Sequence, residues 1–199
     1  MHIVDGVLAT PVLASGITIT VLGTGFGLRA LSDDKLPQAA VLAACFFVAS
    51  LIHIPLGPTS VHLIFNGLIG LLLGWAAFPI VLIGLVLQAV FFGFGGLIVL
   101  GVNCLNIALP AIVTGFVIRP WLGRIPAVAL GFAAGFGAVL LTALSVALSL
   151  ALSGEGFITS AKLVVIGHLP VAVIEGVVSA FALKLLCKVR PSLAMSSYQ

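Results

Sequence analysis

The sequence predicts an all-α fold, a polytopic membrane helix bundle with about seven transmembrane helices. Three observations predict it. The 199 residues are 62% hydrophobic and only 7% charged. The apolar residues run in long unbroken stretches, cut by Pro, Gly and charged punctuation. The few basic residues collect in alternate breaks between those stretches.

A soluble domain carries about a quarter charged residues to cover itself in water. With a mean hydropathy of +1.39, this chain has lipid as its solvent. One spanning helix takes about 20 apolar residues, so the chain has room for about seven to nine spans and none for a catalytic domain outside the bilayer. A transmembrane barrel alternates apolar and polar residues at every second position, and these unbroken runs do not. No basic run is long enough for a nucleic-acid partner. Cys45, Cys104 and Cys187 are scattered without a CxxC pair and read as small buried hydrophobes.

Seven spans are expected, at about 7–31, 36–53, 59–76, 78–100, 105–119, 126–152 and 162–187. Breaks fall at Ser32–Lys35, Pro55–Pro58, Trp75–Pro79, Gly101–Asn103, Pro120–Pro126 and Ser153–Gly156. The chain reads as a single membrane domain over 1–199, with an N-terminal segment at 1–6, helices over 7–187 and a cytoplasmic tail at 188–199. A signal peptide opens on a basic stretch. Here no Lys or Arg precedes Arg29, and the start is expected to be mature.

Basic residues favour the cytoplasmic side. With the N-terminus outside, Arg29, Lys35, Arg119, Arg124, Lys184, Lys188 and Arg190 all fall inside, and of the 8 basic residues only Lys162 falls outside. The C-terminus is then cytoplasmic, and the net charge of +3 is a topology signal. Gly23/Gly27 and Gly131/Gly135 have the spacing that lets helices approach closely.

Polar side chains inside a membrane are costly, so each is a candidate for function. Those that stand out are His2, Asp5, His53, His62, Asn66, Asn103, Asn106, His168 and Glu175. All four histidines lie in or near the expected outer half, as a set of imidazoles facing one compartment would. His168 and Glu175 share a face of the last span, as a proton or metal relay or as structural hydrogen-bonding groups.

His2 is the sharpest feature, although alone it also fits an incidental histidine at a wet terminus. Met1 is expected to stay on the chain, since its removal favours a small second residue. The Met1 amine, the His2 amide nitrogen and the His2 ring can then close two adjacent chelate rings on one metal. A distant histidine would complete a square-planar set of nitrogens. That geometry suits Ni²⁺ or Cu²⁺, and imidazole also suits Co²⁺ and Zn²⁺. Asp5 could orient an imidazole or simply start a helix.

The opening Met1-His2-Ile3-Val4-Asp5-Gly6 resembles the start of the CbiM/NikM family, the substrate-binding membrane subunits of cobalt and nickel energy-coupling-factor (ECF) transporters. Gly57–Leu63, Asn103–Ala108 and Gly167–Gly176 are similar to later motifs of that family. The resemblance implies seven helices and a metal site made by Met1, His2 and His62. Asp5, His53, Asn103, Asn106, His168 and Glu175 would orient those ligands or relay ions. Pro58 and Val61 depart from the family's glycines, and His53 stands where an Asn is common. His53 is either an extra ligand or supporting group, or a substitute for the Asn hydrogen bond.

The resemblance also implies Co²⁺ or Ni²⁺ as the bound substrate, without an organic cofactor. The implied partners are a transmembrane coupling subunit and ATP-binding subunits, with a small accessory membrane subunit in some systems. The expected location is a prokaryotic inner membrane. The sequence holds no P-loop and no HExxH, so neither ATP hydrolysis nor zinc-protease chemistry is expected of it. The rival reading is a stand-alone secondary metal transporter using a His168/Glu175 relay.

Overall fold

The structure, a computed structural model, describes residues 2–51, 53–56 and 59–189, and the side chains of all of these except 53–56, 59 and 60. Seven α-helices and one β-hairpin follow in order: α1 (Thr10–Ala30), α2 (Leu36–Ala49), β1 (His53–Leu56), β2 (Thr59–His62), α3 (Asn66–Leu73), α4 (Ala77–Phe92), α5 (Leu100–Ile118), α6 (Ala127–Ala151) and α7 (Ile158–Val189). Strands β1 and β2 pair antiparallel, with His53 opposite His62.

Among the described residues seven α-helices are present, but fewer stretches than that are long and apolar enough to cross a bilayer. Those stretches, among the described residues, are five: Thr10–Ala30, Asn66–Phe92, Leu100–Trp121, Ala127–Ala151 and Glu155–Val189. Helix α2 has 14 residues, or about 21 Å at 1.5 Å per residue, short of the roughly 30 Å hydrocarbon core. The expected span at 59–76 is instead strand β2 followed by α3, an 8-residue helix in which every residue is buried. Its apolarity reflects contact with protein on all sides rather than with lipid. The expected orientation of the termini rested on seven spans and loses that basis.

The break expected at Gly101–Asn103 lies earlier, at Gly93–Val99. Gly93, Gly95 and Gly96 have φ of +67°, +78° and +141°, conformations that glycine reaches without strain. Gly101 is inside α5, where a Cβ would stand 2.7 Å from the Ile17 Cα of α1. It is a packing residue, not a turn.

Such close approaches hold the bundle together, because lipid supplies no hydrophobic drive between helices. Gly131 and Gly135 of α6 meet the α7 backbone at Ser179–Ala180 and Glu175, and Gly23 of α1 lies under the Phe78 ring. Gly67 and Gly70 of α3 press on the Ala134 and Ala111 backbones. The large apolar side chains left exposed, such as Val21, Phe26, Val90, Leu148, Ile166 and Phe181, are what lipid would cover. Of the cysteines, Cys104 is buried as expected, Cys187 is partly buried and Cys45 is exposed, so the buried reading fails for Cys45; all are free thiols.

Helix α3 is held at both ends by polar side chains from other parts of the chain. At its C-terminus, Arg119 donates from Nε to the Leu71 carbonyl (2.8 Å) and from Nη2 to the Gly70 carbonyl (3.1 Å). Carbonyls in the last turn of a helix lack partners within it, and a guanidinium spans two of them. At the other end, the Ile64 amide donates to Glu175 Oε2 at 3.1 Å.

The two ends of the bundle differ in chemistry. Leu71, Ile118, Leu130 and Leu183 pack together with Leu122, Ala127 and Cys187 at one end, the end that carries Arg119, Arg124, Lys184 and Lys188. Arg29 joins them, since Gly27 packs on Trp75 and Pro79, and Gly74 on Arg119. At the other end Ile3, Leu8, Val99, Val146, Leu150, Ala161 and Val164 form a second core, and Lys162 stands beside it.

Candidate metal-capture site

The N-terminal segment is tucked into this second end. Asn103, near the start of α5, treats Ile3 as a strand partner would. The Ile3 amide donates to Asn103 Oδ1 (2.9 Å), and Asn103 Nδ2 donates to the Ile3 carbonyl (3.0 Å). Two residues on, the Asp5 amide donates to the Gly95 carbonyl (3.2 Å), and the Val99 amide donates to Asp5 Oδ1 (3.0 Å). Val99 immediately precedes α5, so the carboxylate sits at the positive end of that helix. Asp5 therefore anchors the segment to the Gly93–Val99 loop. A Cβ on Gly96 would fall inside the Asp5 carboxyl group, which is why glycine is needed there.

These anchors bury His2, 3% exposed, against His62, 2% exposed. The two Nε2 atoms are 3.1 Å apart. The ring centroids are separated by 4.7 Å, and Phe94 stacks on His2 at 6.0 Å. His62 Nδ1 donates to the Leu63 carbonyl at 2.8 Å. That bond fixes the tautomer and leaves Nε2 with its lone pair toward His2. Burial pushes the His62 imidazole down, to about 4, so the ring is neutral near pH 7, as a metal ligand must be.

The other expected residues divide. His168 is fully buried, donates from Nδ1 to the Val164 carbonyl at 2.5 Å, and lies within electrostatic range of His62. Glu175 is fully buried and directed at the backbone just after His62. Asn106 accepts from Ser149 Oγ at 3.1 Å and ties α5 to α6. Asn66 donates to the Ile107 carbonyl and to Thr142 Oγ1. His53 is opposite His62 in the hairpin register, its side chain lying outside the described residues. Met1 also lies outside them. Among the described residues, no three His, Cys, Asp or Glu side chains converge as a metal site. Phe94, Val99 and Arg119 were not singled out from the sequence. The signal for the first two was the glycine-dense Gly93–Gly96, read there as part of a span.

The chain matches CbiM, the cobalt uptake substrate-specific transmembrane region, over residues 2–193. It belongs to this family. A Haemophilus influenzae protein whose name assigns it to metal transport is 40% identical over 196 residues, 96% of this chain and 95% of that one. The fused nickel transport protein NikMN of Rhodobacter capsulatus is 39% identical over 115 residues, 55% of this chain and 33% of the fusion. The fold is also that of a transition metal transporter solved by crystallography, with a TM-score of 0.84 at 24% identity, covering 100% of this chain and 98% of the other. The chain is thus a multi-pass membrane protein of a cobalt and nickel transport family.

Proposed function

We propose that this chain is the metal-capturing membrane subunit of an ECF-type ABC importer, which takes Co²⁺ or Ni²⁺ from outside and passes it to the cytoplasm in an ATP-dependent complex. The observation that carries this reading is the buried pair of imidazoles, His2 and His62, with Nε2 atoms 3.1 Å apart. In the proposed site the Met1 amine and the His2 amide nitrogen close a five-membered ring on the ion. The His2 amide nitrogen and Nδ1 close a six-membered ring beside it, once the His2 ring, whose Nε2 faces His62 in the metal-free structure, turns its Nδ1 to the ion. His62 supplies the fourth nitrogen from β2. Such a nitrogen set in a plane fits Ni²⁺, and imidazole also fits Co²⁺.

The His2 end would face outside and the basic end the cytoplasm, in a prokaryotic inner membrane. A coupling subunit and ATP-binding subunits would supply the energy, since this sequence has no P-loop. That the Rhodobacter relative is a fusion supports a chain that works with further components.

The test is metal titration of purified protein carrying an authentic Met1. His2→Ala, His62→Ala and one residue added before Met1 should each weaken Ni²⁺ and Co²⁺ binding. An extended N-terminus that binds as tightly as wild type would sink the chelate. The stand-alone reading keeps one point of support, the buried His168 Nε2 and Glu175 Oε1 atoms without hydrogen-bond partners. Uptake by the isolated chain in proteoliposomes, abolished by an uncoupler and indifferent to ATP, would favour it over the ECF reading.

A further inference from the structure

We infer that Glu175 is a positioning residue for His62: its carboxylate holds the Leu63–Phe65 turn, and that turn holds the imidazole that meets His2. The inference rests on the proposed role of His62 as a ligand.

Between His62, the last residue of β2, and Asn66, the first of α3, the chain has three residues in which to change direction. Phe65 takes φ +50°, the only positive φ of a non-glycine residue among those described. A bulky residue there is strained and persists only where its surroundings fix it. The fixing group comes from α7. The Ile64 amide donates to Glu175 Oε2 at 3.1 Å. That amide sits where the positive end of α3 favours an acceptor.

On the other side of the same turn, the Leu63 carbonyl accepts from His62 Nδ1 at 2.8 Å. The carboxylate, the turn and the ring thus form one connected path. Glu175 shares no hydrogen bond with either imidazole, so it acts through the backbone. The α7 backbone cannot back away from the site, because Gly135 of α6 packs directly on the Glu175 carbonyl.

Three substitutions separate geometry from charge. Glu175→Gln keeps a carbonyl that can accept from the Ile64 amide. Glu175→Asp keeps the charge but withdraws it by one methylene. Glu175→Ala removes the acceptor. Amide hydrogen exchange at Ile64 in metal-free protein reads the turn directly. Exchange should rise in the Ala and Asp variants and stay near wild type in Gln.

Ni²⁺ titration, followed by the visible ligand-field band, reads the consequence. Affinity should fall about 10- to 100-fold in Ala and Asp, the loss usual when a residue that orients a metal ligand is removed, with a change in band shape that Gln reverses. Wild-type exchange in both Ala and Asp would overturn the inference, as would a Gln variant that behaves like Ala. If Glu175→Ala fails to fold, Asp against Gln decides alone. Normal Ni²⁺ binding by His62→Ala would sink the ligand assignment instead, and the exchange data would still report on the turn.

Discussion

Ile3 and Asn103 exchange two hydrogen bonds, at 2.9 and 3.0 Å, across one hundred residues of chain. One asparagine thus satisfies both backbone groups of a buried residue, as a neighbouring strand would. Replacing it with Leu keeps the bulk but leaves the Ile3 amide and carbonyl unpaired, at about 1–3 kcal/mol each. The N-terminal segment can avoid this cost by leaving its groove. Asn103→Leu should therefore lower Ni²⁺ affinity by about 10- to 100-fold, while the helical content seen by circular dichroism stays unchanged. Wild-type affinity in titration calorimetry would contradict this.

The loop below this anchor makes a second prediction. Gly96→Ala places a methyl group where the Asp5 carboxyl stands and strains a φ of +141°, at about 1–3 kcal/mol. Gly25→Ala is the control, because nothing lies within 4 Å of the added carbon. Gly96→Ala should weaken metal binding and lower Tm, and Gly25→Ala should do neither. Equal behaviour of the two would mean that the Asp5 contact is unimportant.

The helical class, the lipid solvent, the first span and the last two were legible in the sequence because they follow from composition and long apolar runs. The number of spans was not. Hydropathy cannot distinguish Leu71, apolar because protein surrounds it, from Val21, apolar because it faces out. The hairpin was hidden for the same reason, since Val61 reads as membrane but packs in the core. At the site, His2 and His62 were legible by chelate chemistry and motif. That Asp5 bonds to Val99, and Glu175 to Ile64, depends on which helices become neighbours. No local pattern carries that information.

Metal binding should weaken as pH falls, because protons compete for nitrogen donors. The α-amine, near 7.7–8.0 in its ordinary range, and the His2 amide carry that dependence. His62 does not contribute near neutrality, since its depressed value of about 4 keeps it unprotonated until strongly acidic pH. The slope of log Kd for Ni²⁺ between about pH 6 and pH 8 should therefore be the same in His62→Ala as in wild type, although binding is weaker throughout. A slope that flattens in His62→Ala would show that its proton is part of the competition.

The last prediction concerns the far end of α3. Arg119 reaches the Gly70 and Leu71 carbonyls together, and hydrogen bonds to a charged group contribute about 1.5–3 kcal/mol each. Lysine carries the same charge, but its ammonium is a point donor without the planar fork. Arg119→Lys should thus lose part of this stabilisation and Arg119→Ala nearly all of it. If charge alone mattered, Lys would match wild type. Because α3 joins the Arg119 contact to the turn that carries His62, loosening its C-terminus should also raise amide exchange at Gly70–Leu73 before it affects Ile64. Thermal unfolding in detergent, with exchange read segment by segment, checks both. The expected order of stability is wild type, then Lys, then Ala; a Lys variant as stable as wild type would reduce the role of Arg119 to its charge.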